Sequence, residues 1–154
     1  MAANVCRARA ATSAFVAASS AVDFASKQAR GGQDEPPAAA TSRGNPGFGT
    51  YSASKAAIRQ YARVWAAELA PRNIRVNVLV PGPTDTPGLR GLAGNEAYVP
   101  ALLAQMAATT PLRRVADPGE IAQAALFLAS TRSSFMTGSE LFADGGEVQV
   151  FPAA

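Results

Sequence analysis

One segment, NIRVNVLVPG at residues 73–82, constrains the fold more than any other part of the sequence. Ile and Val occupy alternate positions along it, and Pro81 and Gly82 end it, as expected of a β-strand. A long apolar strand of this kind is typical of a parallel sheet that is covered on both faces. Because parallel strands are joined through crossover helices, the segment predicts an α/β protein.

Helical segments precede and follow this strand. Residues 51–70 place apolar side chains at spacings of three and four, and Pro71 ends the pattern. Residues 98–108 predict a short helix, and Asp117 begins the signature of a capped helix. The segment GSELFADGG, at residues 138–146, predicts a short strand that runs into a turn. The apolar positions of the first helix are Ala56, Ala57, Tyr61, Val64, Trp65 and Leu69.

The first 43 residues differ in composition from the rest of the chain. They are rich in Ala, Arg and Ser, and they show no sustained helical or strand period. Residues 16–24 predict at most a turn or two of helix, and ARGGQDEPPAAATSRG is typical of a loop. We therefore place a boundary near residue 43, with an irregular segment at residues 1–43 and a folded part at residues 44–154.

Composition excludes several classes of function. The net charge of +3 comes from scattered basic residues, which argues against a nucleic-acid partner. With no His and with Cys6 as the single cysteine, neither a zinc site nor a disulfide framework is expected. No apolar run is long enough for a membrane span. We expect a cytoplasmic protein, with an N-terminal transit sequence as a weaker alternative because Ser and Thr interrupt the apolar stretch near the start.

The segment YSASK, at residues 51–55, carries the clearest chemistry. Tyr51 and Lys55 are one helical turn apart, so their side chains lie on one face of the predicted helix. A lysine ammonium favours the phenolate and lowers the pKa of a neighbouring tyrosine, which can then exchange a proton with a substrate oxygen. That is the proton half of carbonyl–alcohol interconversion, and it needs no histidine. Taken alone, such a pair is more often a packed tyrosine and a solvated lysine.

The neighbouring segments make the pattern specific. YSASK is followed by NIRVN leading into PGPTDT, by PGEIA at the start of a helix, and by TG and DGG. From about residue 44 to Gly146 these segments resemble the short-chain dehydrogenase/reductase family. The resemblance implies the C-terminal part of a doubly wound parallel-sheet, Rossmann-like domain. It also implies NAD or NADP as the cofactor and a carbonyl or alcohol as the small-molecule substrate.

The resemblance assigns roles to five residues. Tyr51 corresponds to the acid/base tyrosine, and Lys55 to the lysine that lowers its pKa and also binds the nicotinamide ribose. Pro81 and Gly82 correspond to the turn that passes along the nicotinamide, and Thr86 to a threonine that contacts the cofactor. For the hydroxyls of PGPTDT, stabilisation of the turn is the alternative interpretation. No residue is assigned to a metal.

Two features that the family resemblance leads us to expect are missing from residues 1–43. No strand followed by a glycine-rich phosphate-binding turn is visible there. The substrate-orienting serine is expected 13 residues before Tyr51, at the end of an apolar strand, but that position is Ala38. We therefore expect two strands, an incomplete sheet and an exposed apolar helix face. An isolated chain of this kind is expected to be poorly soluble, to be inactive and to bind no NAD(P).

Two interpretations of function remain open. The first is an NAD(P)-dependent oxidoreductase whose chain supplies the Tyr–Lys proton relay. The alternative is a non-catalytic remnant that oligomerises with a relative. The resemblance implies a homo-oligomer formed through residues 51–70. Residues 89–103 correspond to a mobile substrate lid, although their apolar side chains would serve equally well as a helix core, and Asn77 is interpreted as structural.

Overall fold

A computed structural model describes residues 13–17, residue 42 and residues 48–150. Three short strands and four α-helices make up this part of the chain, and 3₁₀ turns lie next to several of the helices. In chain order the elements are β1 (Ser13–Ala17), α1 (Gly49–Leu69), β2 (Arg75–Pro81), α2 (Pro87–Gly91), α3 (Val99–Ala108), α4 (Pro118–Ala129) and β3 (Glu140–Ala143).

The three strands form one parallel sheet in the order β1-β2-β3. In its centre, β2 is buried at every position from residue 75 to residue 80. Burial on both faces is what the apolar run predicted, because a central parallel strand has helices above and below it. The predicted α/β class with a small, incomplete parallel sheet is therefore confirmed.

The sequence analysis missed strand β1. The structure places Ser13–Ala17 beside β2, with Ser13 paired to Arg75 and Ala17 paired to Leu79. The expected turn of helix at residues 16–24 is thus wrong for Val16 and Ala17, and the rest of that range lies outside the described residues. Five residues with three alanines or serines carry too little periodicity to be recognised, and pairing with β2 decides their conformation.

Helix α1 packs on the sheet through a different face from the one its apolar residues suggested. Its buried residues are Lys55, Ala62 and Ala66, and the two alanines lie in a core cluster with valines of β2. Of the apolar positions named from the sequence, only Leu69 packs against this cluster. The small alanine side chains allow the helix to approach β2 closely. The larger apolar side chains of α1 therefore lie outside the interface between the helix and the sheet.

The larger apolar residues of α1 form an exposed face, as predicted. Tyr61 is 58% exposed and Trp65 is 41% exposed, and their rings stack with centroids 5.6 Å apart. Val64 is exposed beside them. We call these three residues the aromatic face of α1. Trp65 is therefore not a core residue of the described chain.

The predicted cap of the fourth helix is confirmed. The Asp117 carboxylate accepts from the Gly119 amide at 2.7 Å, and the Glu120 carboxylate accepts from the Asp117 amide at 2.9 Å. Arg114 also donates two hydrogen bonds to Glu120, at 2.6 and 2.7 Å. These bonds lower the pKa of Glu120 to about 2. The Glu120 carboxylate therefore stays ionised well below neutral pH.

Arg75 connects the central strand to the end of helix α4. Its buried guanidinium donates to the carbonyl oxygens of Leu128, Ser130, Ser133 and Met136, at 2.7 to 3.1 Å. It also donates to the Ser133 hydroxyl at 3.0 Å. A cation at the C-terminus of a helix is stabilised by the helix dipole. The arginine thus adds a charged donor to four carbonyls that also accept from other groups.

Asn77 has the structural role that the sequence indicated. Its side-chain amide donates to the Met136 carbonyl at 3.0 Å and accepts from the Ser139 amide at 3.2 Å. These two bonds fix the loop that enters β3. No helix in the described part of the chain is long and apolar enough to cross a membrane.

Candidate active site

The N-terminus of helix α1 and the carboxyl ends of the strands lie at the same end of the fold. Helix α1 passes into β2 through the short turn Ala70–Arg72, so it runs antiparallel to the sheet. Tyr51, in the first turn of α1, therefore lies toward the end where β2 reaches Gly82 and β3 reaches Asp144. In open α/β sheets this is the end that binds ligands.

Tyr51 and Lys55 share one face of the helix, as the sequence predicted. The Lys55 Nζ atom lies 5.1 Å from the centroid of the Tyr51 ring. Lys55 is fully buried, with 0% exposure, whereas Tyr51 is half-buried. The Ser54 hydroxyl donates to the Tyr51 carbonyl at 2.7 Å. A buried lysine amino group thus lies beside a half-buried phenol.

Gly82 is required by the packing of the two strand ends. A Cβ atom at this position would lie 2.6 Å from the Asp144 Cα atom and 2.8 Å from its carbonyl oxygen. The Gly82 amide also donates to the Ala143 carbonyl at 3.0 Å. Pro81 is the last residue of β2. Packing of the strand ends alone therefore explains the glycine here, whatever it does for a cofactor.

The threonines of PGPTDT stabilise the turn. The Thr84 hydroxyl donates to the Gly82 carbonyl at 3.0 Å. The Thr86 hydroxyl accepts from the Leu89 amide at 3.2 Å and caps helix α2. These contacts support the alternative role that the sequence left open for both hydroxyls. A hydroxyl that accepts one bond still has its own hydrogen to donate, so Thr86 can also bind a ligand.

An ion pair that the sequence analysis missed closes the same loop. Arg90 donates to both Asp85 oxygens, at 2.6 and 2.8 Å. The hydrogen bonds from Arg90 lower the pKa of Asp85. The two residues are five apart, so a helical spacing rule does not find them. The pair links the strand-end loop to the first helix of the predicted lid.

The predicted lid contains both core and exposed residues. Val99, Leu102 and Met106 are buried, which supports the helix-core alternative for those positions. Tyr98, at the start of the same helix, is exposed. The apolar side chains of residues 89–103 therefore do not all line one pocket.

A cavity of about 450 Å³ opens at the carboxyl end of β2 and β3. Neither Tyr51 nor Lys55 is among its lining residues. Its wall is mostly apolar and comes from three separate parts of the chain, so no local pattern in the sequence indicates the cavity. The lining includes Pro83, Thr110, Pro111, Leu112, Ile121 and Phe142.

Comparison with known proteins identifies the family. Residues 7–147 match the family model described as Enoyl-(Acyl carrier protein) reductase. The chain belongs to the short-chain dehydrogenase/reductase family. Because the match begins at residue 7, it includes β1 and most of the segment that the sequence analysis treated as irregular. Within the described residues, no group of three or more His, Cys, Asp or Glu could hold a metal ion.

Among its relatives is the 3-oxoacyl-(acyl-carrier-protein) reductase of Thermotoga maritima, which is 46% identical over 105 residues. These residues are 68% of this chain and 40% of that protein. The cyclopentanol dehydrogenase of a Comamonas species is 45% identical over 103 residues, which are 67% of this chain and 40% of that protein. The chain thus spans about 40% of the length of these curated relatives.

A solved structure extends the comparison. The angucycline C-6 ketoreductase LanV with bound NADP aligns with a TM-score of 0.62 and 30% identity, over 73% of this chain and 41% of that one. The relatives named here are reductases or dehydrogenases, which does not favour a non-catalytic function.

Proposed function

We propose that the chain supplies the proton-relay part of an NAD(P)-dependent oxidoreductase that interconverts a carbonyl and a secondary alcohol. One observation carries the proposal: the fully buried Lys55 Nζ lies 5.1 Å from the Tyr51 ring centroid, at the ligand-binding end of the sheet. The names of two relatives agree with it, since cyclopentanol is a secondary alcohol and a 3-oxoacyl group carries a ketone.

The proposed mechanism uses the two side chains together. The Lys55 ammonium, shielded from solvent, favours the phenolate form of Tyr51 because burial weakens dielectric screening. In the reduction, the Tyr51 hydroxyl donates its proton to the substrate oxygen; in the oxidation, the phenolate accepts it back. NAD(P), when bound, supplies or takes up the hydride.

The residues at the end of β2 fit the nicotinamide end of the cofactor. Gly82 lies at the carboxyl end of β2, and Thr86 can donate its hydroxyl hydrogen. We propose that these two residues, with Pro81, Tyr51 and Lys55, hold that end. The sequence shows no glycine-rich phosphate-binding turn, so the proposal covers only this end of NAD or NADP.

Strand β1 changes the proposal for the substrate-orienting serine. The family resemblance places this serine at the end of an apolar strand, and β1 is such a strand, ending at Ala17 beside β2. Ser19 and Ser20 follow it in the sequence. We propose that one of them is the missing serine. The sequence between β1 and Tyr51 is then longer than the family pattern leads us to expect, so this serine lies more than 13 residues before Tyr51. Both lie outside the described residues.

A chimera tests the proposed function. Residues 48–150 would replace the matching part of the Thermotoga maritima reductase, and NADPH-dependent ketone reduction would be measured. We expect an active chimera whose kcat/KM falls about 10³-fold in the Tyr51→Phe variant, because a positioned general acid contributes a factor of about 10²–10⁴.

The matched control is Tyr61→Phe, which removes an exposed hydroxyl from the same helix and should change kcat/KM less than about twofold. The isolated chain, which we expect not to bind NADPH, serves as the background. A folded chimera that binds NADPH but reduces no ketone, or that keeps its activity in the Tyr51→Phe variant, would contradict the proposal.

We also propose that the aromatic face of α1 joins two copies of the chain. Tyr61, Val64 and Trp65 are exposed together on one helix, and aromatic residues are enriched at the centres of interfaces. We expect Trp65→Ser to raise the dimer dissociation constant at least about tenfold in sedimentation velocity. Tyr98→Ser, at an exposed site outside α1, is the control. A chain that is monomeric before substitution would refute the proposal.

A cytoplasmic location is likewise proposed, from the single cysteine and the absence of a long apolar run in the sequence. Cell fractionation with an antibody against the chain would test it, and recovery in the membrane fraction would count against it.

A further inference from the structure

Helix α1 packs on the sheet through small side chains. Besides Lys55, its buried residues are Ala62 and Ala66. Helix packing is fixed by larger side chains that interlock with their neighbours, and the one such side chain of α1 in the core cluster is Leu69, in the last turn and far from Tyr51. The orientation of the face that carries Tyr51 and Lys55 thus depends on additional contacts.

The first turn of α1 has little local stabilisation. Phe48 precedes the helix and provides no side-chain hydrogen bond, and the first turn contains no acidic residue. Capping side chains and first-turn carboxylates are the usual means of holding a helix N-terminus. Contacts made by other parts of the helix must therefore hold the turn that contains Tyr51.

Arg59 makes contacts that can fix it. Its guanidinium donates to the Ser42 hydroxyl at 2.6 Å and forms an ion pair with Glu140, at the start of β3. It also lies over the Phe142 ring, 5.7 Å from the centroid. Only 18% of the side chain is exposed. One side chain thus joins helix α1, strand β3 and Ser42, nine residues before Tyr51.

We propose that Arg59 is the positioning residue for the Tyr51–Lys55 pair. It lies one helical turn after Lys55 and two after Tyr51, so all three project from one face of the helix. Anchoring Arg59 to β3 fixes the rotation of that face and its position along the sheet. This inference rests on the proposed function, because it concerns the geometry of the same proton relay.

Arg63 provides a matched comparison within the same cluster. It forms an ion pair with the same Glu140 carboxylate, but its side chain is 50% exposed. It also donates to the side-chain oxygen of Gln60 on its own helix, at 3.2 Å. Removing Arg63 therefore deletes one charge from the cluster while Arg59 keeps its three contacts.

Chemical labelling of Lys55 tests the inference without any need for activity. The chain has two lysines, Lys27 and Lys55, so acetylation of each can be followed by peptide mass spectrometry. We expect Arg59→Gln to speed the labelling of Lys55 at least about tenfold, because rotation of the helix exposes a buried ammonium. Arg63→Gln should change the rate less than about twofold.

Two further variants separate positioning from charge and from folding. Arg59→Lys keeps the charge but loses the planar fork that reaches several partners at once, so it should behave like Arg59→Gln. Glu140→Gln weakens the anchor from the sheet side and should also speed labelling. Urea unfolding of each variant shows whether the chain remains folded under the labelling conditions. Labelling at the parent rate in Arg59→Gln, or full restoration by Arg59→Lys, would overturn the inference.

A spectroscopic readout distinguishes this inference from the proposed function. With Tyr61→Phe and Tyr98→Phe in place, phenolate absorbance reports Tyr51 alone, since the chain has three tyrosines. We expect Arg59→Gln to raise the pKa of Tyr51, because a solvated lysine interacts with it more weakly. If Tyr51 titrates like a free tyrosine in the parent, the proposed Tyr–Lys proton relay is wrong. The labelling result still decides whether Arg59 positions the helix.

Discussion

Replacing Arg75 with methionine is expected to lower the free energy of unfolding by about 2–3 kcal/mol, the order of a buried hydrogen bond from a charged group, because no charge is left unpaired and the carbonyls keep other donors. The guanidinium donates to the carbonyls of Leu128, Ser130, Ser133 and Met136. Methionine fills much of the same space but donates no hydrogen bond, so these carbonyls lose a buried partner. Urea denaturation followed by circular dichroism would measure the loss.

Arg72→Met is the matched control for this substitution. Arg72 is exposed in the 3₁₀ turn that follows α1, and exposed substitutions usually change stability by less than about 0.5 kcal/mol. An Arg75→Met chain as stable as the parent would show that the guanidinium does not hold the end of α4.

Gly82→Ala is the second substitution with a large expected effect, about 3 kcal/mol of lost stability, at the upper end of overpacking costs. The new methyl group would lie 2.6 Å from the Asp144 Cα atom and 2.9 Å from its carbonyl carbon. These are backbone atoms of an adjacent strand end, so no side chain can rotate away to relieve the contact. Thermal or urea unfolding would detect the change.

The control for Gly82 is Gly91→Ala in helix α2. A Cβ atom there would meet nothing within 4 Å, and replacing a helical glycine with alanine stabilises by about 0.5–1 kcal/mol. Equal unfolding midpoints for the Gly82→Ala chain and the parent would show that the strand ends move apart easily. In that case Gly82 would need a ligand-based explanation rather than a packing one.

The elements that have clear start or stop signals in the sequence could be predicted. β2 carries valine at alternate positions and ends at Pro81-Gly82, and α4 begins with a capping box. The Tyr51–Lys55 pair follows from helical spacing alone, since residues four apart share a face. In each case the interactions that decide the structure lie within a few residues, so the sequence displays them directly.

The features that could not be predicted depend on contacts between distant parts of the chain. β1 becomes a strand because β2 lies beside it, and the buried face of α1 is chosen by how closely alanine lets it approach the sheet. The roles of Arg59 and Arg75 require knowledge of which carbonyls and carboxylates come near them. The cavity at the end of β3 likewise forms from segments that are far apart in the sequence.

Spectrophotometric titration of Tyr51 tests the central claim, the Tyr–Lys proton relay, most directly. In a chain that carries Tyr61→Phe and Tyr98→Phe, we predict that Tyr51 ionises at a lower pH than a free tyrosine. We also predict that Lys55→Met raises its pKa, because the buried ammonium no longer favours the phenolate. A Tyr51 that titrates like a free tyrosine, with or without Lys55, would contradict the account.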